Sequence, residues 1–353
     1  MKRFAWAMSL VFLTACAGAK KPPLAEMAPC QLVKLAPGPE DLALDQNRIL
    51  VSVDDRRQTI GEGAILALDI HSGTFHPLTG WQSEPQIKQF HPQGIDLIEQ
   101  DGVRYLFVVL KRFDGQNPAI ARFKVNGDHL EAAGFWRDQL RDPNDLVARP
   151  EGGFYVTDND PAMINNLMGS GRILLFINED KAQIVADGLT FANGLALTEG
   201  HLFGTTSLLG DLYSWEIGPK GELNKKVRLA NIPGGDNLSI NGGILLIAGH
   251  PCKRCFMSHA KSTDKHSPSQ IWAYNIEARQ LDLVLEDPMG KKYSAASVAI
   301  ATPDRLILGQ VFDGQLLSCP LPAPWPPLVS EQKRVYHLKT MSGEDKFFYQ
   351  DRD

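Results

Sequence analysis

Six short segments of the chain pair small or polar residues and then turn apolar. They are Glu40-Asp41 before Leu42, Gln93-Gly94 before Ile95, Asn144-Asp145 before Leu146, Asn193-Gly194 before Leu195, Asp236-Asn237 before Leu238 and Ala296-Ser297 before Val298. Five of the six carry a carboxylate or an amide, and none carries His or Cys. Any one such pair suits the turn that leads into a strand. Five equivalent pairs brought together make a ring of oxygens. Converging carboxylates repel and are costly to bury unpaired, and a bound cation removes both problems. An all-oxygen set rich in neutral amides suits Ca2+ better than Zn2+ or Cu2+. Glu40 and Asp236 offset the charge of such an ion, while Asn144, Asn193 and Asn237 fill its shell. Asp41 and Asp145 follow their partners, so strand alternation points them differently, toward a second, deeper cation.

The elements that would bring these pairs together repeat. The apolar residues that follow the pairs lie 53, 51, 49, 43 and 60 residues apart, about 51 on average. A second, very apolar run follows each: RILVSV, RYLFVVL, GFYVTD, HLFGTT, ILLIAG and RLILGQ. A third follows, such as AILALDI and RILLFI, then a weaker fourth, such as AQIVADG. No long stretch carries a 3.6-residue apolar period. Four antiparallel strands repeated six times predict an all-β, six-bladed β-propeller over residues 30–345, with a tail at 346–353. The innermost strand of each blade lines the central channel, so equivalent positions converge on one axis. Such a ring must close. The segment around Cys30 precedes the first repeat and Cys319 lies in the third strand of the last, so a Cys30–Cys319 disulfide would staple the ends.

The first residues read as an address. Lys2 and Arg3 precede an apolar run from Phe4 to Leu13, too short to span a bilayer comfortably, and Leu13-Thr14-Ala15-Cys16 looks like a bacterial lipobox. Residues 1–15 are then a signal peptide, Cys16 a lipidated residue and 16–29 a tether. The expectation is an exported lipoprotein of the outer membrane facing the periplasm, with a lipid anchor as its membrane contact. The formal charge of −5 argues against a nucleic-acid partner. In an oxidising compartment Cys30, Cys252, Cys255 and Cys319 predict two disulfides. Cys252 and Cys255, with His259 nearby, also fit a redox pair or zinc ligands.

In order along the chain, Pro29-Cys30-Gln31-Leu32-Val33-Lys34, Glu40-Asp41-Leu42, Phe90-His91-Pro92-Gln93-Gly94-Ile95, Asn144-Asp145 with Phe154-Tyr155, Ala192-Asn193-Gly194, Asp236-Asn237, Gly249-His250-Pro251 and Gly309-Gln310-Val311-Phe312 form a specific set. From Pro29 to Leu321 this set resembles the paraoxonase/arylesterase family, relatives of the gluconolactonase and strictosidine-synthase propellers. The resemblance implies a catalytic calcium on Glu40, Asn144, Asn193, Asp236 and Asn237. It also implies a structural calcium on Asp41, Asp145 and the Ile95 carbonyl, and the family disulfide at Cys30 and Cys319. Two departures stand out: Gln93 and Lys111 occupy the positions of the family's histidine dyad. His250, which lines the family's pocket, is kept.

A calcium ion with an open position can polarise an ester or lactone carbonyl for attack by water. No G-x-S-x-G or H-E-x-x-H motif is present. His250 is the first candidate for the base. Lys111 follows if burial lowers its pKa, then Asp158 after the second strand of blade three. His91, before a proline, reads as structural. Residues 159–171, with Met163, Ile164, Leu167 and Met168, and residues 251–269 read as insertions over the channel mouth. The expected function is a calcium-dependent hydrolase acting on a small-molecule lactone or aryl ester. The alternatives are a non-catalytic calcium-stabilised propeller that binds a ligand or envelope partner, and a sugar-lactone hydrolase.

Overall fold

The computed structural model describes residues 22–58, 61–113, 115–177, 182–322 and the pair Val335–Tyr336. Cys16, the signal segment and the tail at 346–353 lie outside the described residues. Six sheets, each with a four-stranded antiparallel core, follow one another along the chain as the blades of a six-bladed β-propeller. Their inner strands are Pro39–Asp45, Pro92–Gln100, Asp142–Ala148, Ala192–Thr198, Gly235–Asn241 and Ala296–Ala301. The second strands are the apolar runs of the repeat, for example Arg48–Val53 and Ile244–Gly249. Among the described residues no helix is long and apolar enough to cross a membrane.

The ring closes as the cysteines predict. The outermost strand of blade six is Gln31–Lys34, which pairs antiparallel with Gln315–Pro320, and Cys30 and Cys319 form a disulfide across 289 residues. Val335–Tyr336 pairs in parallel with Glu99–Gln100, adding a short strand to the inner edge of blade two.

The strands alternate between two cores because successive side chains face opposite sides of a sheet. Leu50 packs toward blade two with Leu106 and Val108. Val51, one residue on, packs toward blade six with Val298 and Ile307. The same division repeats around the ring, giving six apolar clusters, one between each pair of neighbouring blades. Each blade therefore depends on both neighbours, and the inner strands are held at a fixed distance from the axis.

Candidate metal centre at the upper mouth of the channel

The polar pairs stand where the inner strands begin, at what we term the upper face. All six inner strands carry a register irregularity there, at Pro39/Asp41, Pro92/Ile95, Pro143/Leu146, Ala192/Leu195, Gly235/Leu238 and Ala296/Val298. Such a bulge adds a residue to one strand and re-aims its side chains. Both members of a pair are thereby buried in the channel: Glu40 and Asp41, Asn144 and Asp145, Asp236 and Asn237. Hydroxyls of the second strands satisfy the displaced backbone. Asp41 N–H donates to Ser52, Asp145 N–H donates to Thr157, and the Thr205 hydroxyl donates to the Asp236 carbonyl.

Contacts run from pair to pair around the axis. Asp41 Oδ2 accepts from Ile95 N–H of blade two at 2.7 Å, and Asp145 Oδ2 accepts from Leu195 N–H of blade four at 2.7 Å. Gly94 and Gly194 occupy the second pair position in blades two and four because the next blade leaves no room. A Cβ on Gly94 would lie 2.6 Å from Asp145 Oδ1, and one on Gly194 would lie 2.6 Å from Asn237 Cα. The Asn237 amide and the Ser297 hydroxyl both donate to the Glu40 carbonyl, at 3.4 and 2.6 Å, which closes the circle.

Four buried oxygens on this ring have no hydrogen-bond partner: Glu40 Oε2, Asn144 Oδ1, Asn193 Oδ1 and Asn237 Oδ1. The Asn193 amide nitrogen donates to Ser207, and Ser207 in turn to the Gly235 carbonyl, so its oxygen is left bare. Leaving a buried acceptor unsatisfied costs about 1–3 kcal/mol. Four such acceptors from four blades fit a group that accepts electron pairs. Two carboxylates and three amides suit a hard cation. Among the described residues no group of three or more His, Cys, Asp or Glu side chains is arranged to hold a metal, so any ion here would rest mainly on amide oxygens.

Burial pushes the Glu40 carboxyl up to about 7; Asp236 adds to the shift, while Arg56, Asn237 and Lys111 oppose it. Arg56 escaped the sequence reading. Its guanidinium donates to the carbonyls of Gly38, Asp54, Pro92 and Val311, tying blades six, one and two together beside Glu40. Burial also holds Asp41 and Asp145 well above the ordinary carboxylate range; for Asp41 the neighbouring Asp145 charge adds to it. Each of these carboxylates already accepts two backbone N–H groups, and Ile95 offers Asp41 its N–H. Both acids thus act as staples between blades. They form the floor of a cavity of about 570 Å3 that opens on the opposite face, past Asp45 and Arg104, and that Glu40, Asn144, Asn193 and Asn237 do not line.

The candidate bases separate clearly. His250 joins the ring, with Nε2 3.2 Å from Asp236 Oδ2. Gln93 is buried at the start of the blade-two inner strand. Lys111 does not fit a base. Its ammonium donates to Asp142 at 2.5 Å and to the Pro143 carbonyl at 2.9 Å. Asp158 does not either. It is fully buried, and its oxygens accept from Arg141, Arg172 and the Asp142 N–H, because the Asp142–Ala148 strand and the Gly171–Phe176 strand flank it. His91, read as structural, is paired through Nδ1 with both oxygens of Asp54 at 3.2 Å, and its buried Nε2 has no partner. Phe113 stacks on the ring at 3.7 Å. Asp54, just past the second strand of blade one, was the missed signal.

Two helices rise over this face. α1 (Met163–Leu167) leaves Met163, Ile164, Leu167 and the adjoining Met168 exposed, rather than packed onto the sheet. α2 (Lys253–Lys261) carries a Cys252–Cys255 disulfide across its first turn. That bond removes the zinc reading, and His259 instead meets Asp313 and the Lys265 carbonyl.

No known protein family matches the sequence, and no curated protein is similar to it in sequence. Solved structures are similar in fold. A luciferin-regenerating enzyme aligns over 88% of this chain and 100% of its own, with 12% identity and a TM-score of 0.56. Regucalcin from Agrobacterium tumefaciens, described as a calcium-binding protein, aligns over 86% and 95%, with 12% identity and a TM-score of 0.53. A PQQ-bound aldose sugar dehydrogenase from Streptomyces coelicolor aligns over 84% and 99%, with 14% identity and a TM-score of 0.52. At these identities the likeness is one of fold: the chain is a six-bladed β-propeller similar to solved propeller enzymes and a calcium-binding propeller.

Proposed function

We propose that the chain is a calcium-dependent hydrolase of lactones or aryl esters, acting at the upper mouth of its channel. The observation that carries this reading is the set of four buried, unbonded oxygens on Glu40, Asn144, Asn193 and Asn237. With Asp236 they make a five-residue oxygen set for Ca2+. When bound, the ion supplies a Lewis acid that polarises the ester carbonyl and balances charge developing on its oxygen.

The chain's own groups do the rest. Ser207 holds the Asn193 amide so that its oxygen faces inward. His250 holds Asp236 in the same way, as a positioning residue. In this reading the base is His91. Asp54 accepts its Nδ1–H and leaves the unpartnered Nε2 lone pair to take a proton from water. Lys111 and Arg56 place positive charge near Glu40 and favour an electron-rich carbonyl group. The exposed apolar side chains of α1 suit the hydrocarbon part of a substrate. Cys16 would tether the enzyme to the membrane as a lipoprotein, and labelled palmitate incorporated into the wild type but not Cys16→Ala would show it.

The test is turnover of a panel of lactones, sugar lactones and aryl esters with calcium and after chelation. Activity lost on chelation and in Asn144→Ala supports the reading. Activity confined to sugar lactones narrows the substrate. Tight calcium retention with no turnover favours the non-catalytic propeller, the reading that Gln93 and the fixed Lys111 also suit.

A further inference from the structure

The hydrolase reading leaves the Cys252–Cys255 disulfide unused. We propose that it is a thiol–disulfide exchange site, which accepts electrons from an external dithiol and, when reduced, loosens α2 over the channel mouth.

The two disulfides differ in setting. Cys30 and Cys319 are buried in the apolar cluster between blades five and six. Cys252 and Cys255 are only half-buried, on the upper face, with exposed Lys253 and Arg254 between them. Cys252 caps the first turn of α2, and Cys255 N–H donates to its sulfur at 3.2 Å. A helix N-terminus, a donated N–H and two adjacent cations each favour a thiolate over a thiol, which makes Cys252 a good leaving group. The step balances simply. One thiolate of the external dithiol attacks Cys255 Sγ, the Cys252–Cys255 bond breaks, and Cys252 leaves as the thiolate. The second external thiolate then attacks the mixed disulfide and expels Cys255. The external dithiol ends as a disulfide, and its two electrons and two protons pass to the cysteine pair and solvent.

The consequence lies in what α2 holds. Phe256, one residue past the disulfide, packs its ring 4.2 Å from His250 and 5.1 Å from Phe312. At the far end of the helix His259 is locked against Asp313 and the Lys265 carbonyl. Opening the disulfide frees the first turn while the last stays fixed.

The exchange is tested on the whole folded chain, without metal or ester, so its outcome is independent of the hydrolase reading. The protein is equilibrated in graded mixtures of reduced and oxidised dithiothreitol, quenched in acid, alkylated and mapped by mass spectrometry. The expected result is reduction of Cys252–Cys255 at ratios that leave Cys30–Cys319 intact. Reduced Cys252 should alkylate at pH 7 about tenfold faster than an ordinary thiol, and severalfold slower in Lys253→Gln/Arg254→Gln. Hydrogen exchange over residues 253–261 should rise in the reduced protein and equally in Cys252→Ser/Cys255→Ser. A pair that resists reduction until the chain unfolds, or opens only together with Cys30–Cys319, overturns the proposal. Unchanged protection of α2 after reduction overturns the coupling to the helix.

Discussion

Glu40 carries the clearest electrostatic signature, a carboxyl whose burial lifts it from 4.5 to about 7. The folded chain therefore binds that proton more tightly than the unfolded chain does. Its stabilising effect is full below about pH 4.5 and is lost as pH rises through about 7, on the order of 3 kcal/mol in all. Calorimetry in the presence of a chelator should show this decline. Calcium should remove it, because the ion replaces the proton, and calcium affinity should weaken as pH falls below about 7. Glu40→Gln should flatten that pH dependence and weaken calcium binding roughly tenfold or more, by loss of ligand charge. The two histidines should separate by readout. His91→Asn should lower kcat by about 100-fold or more with calcium affinity kept, as expected for a general base. His250→Asn should weaken calcium affinity about tenfold by releasing Asp236.

At the scale of elements, the repeated bulge is what turns six ordinary strand starts into a ring of inward oxygens. Thr157 supports it in blade three by bonding both the N–H and the carbonyl of Asp145. Thr157→Val should cost about 1–3 kcal/mol in denaturant melts by stranding those groups. Gly194→Ala should be harsher in kind, since its Cβ meets the Asp236 carbonyl and Asn237 backbone at 2.6 Å. It should lower stability by about 1–3 kcal/mol and also abolish calcium-induced stabilisation, which separates it from a mere packing defect. The exposed face of α1 predicts specificity. Ile164→Ser with Met168→Ser should reduce kcat/KM for long-chain lactones about tenfold more than for short-chain ones, with an unchanged melting temperature.

The whole molecule is a closed ring in which each blade is completed by its neighbours. The N-terminal strand supplies the outer edge of blade six, and the disulfide fixes that strand to the far end of the propeller. Cys30→Ser/Cys319→Ser should lower unfolding stability by about 2–5 kcal/mol and shift the denaturation midpoint, with fold and upper-face geometry kept once refolded. Asp41 and Asp145 act at this scale too, since each joins its own blade to the next through a backbone N–H. The large cavity behind them opens on the opposite face. The channel therefore has two mouths of different chemistry, divided by a floor of carboxylates.

The sequence by itself determined the number of blades, the strand order within each, the oxygen-bearing positions and the closing disulfide. Period and alternation are properties of the chain, and a ring brings equivalent positions together whatever its details. Only the tertiary structure decided which groups are left unbonded. Lys111 and Asp158 sit at legible positions, yet Asp142, Arg141 and Arg172 occupy them. His91 and Asp54 are 37 residues apart and meet only because blades one and two pack side by side. Arg56 reaches carbonyls of three blades from a loop that carries no repeat signature. Hydrogen-bond saturation depends on partners brought by distant loops, and neither the repeat nor its spacing encodes them.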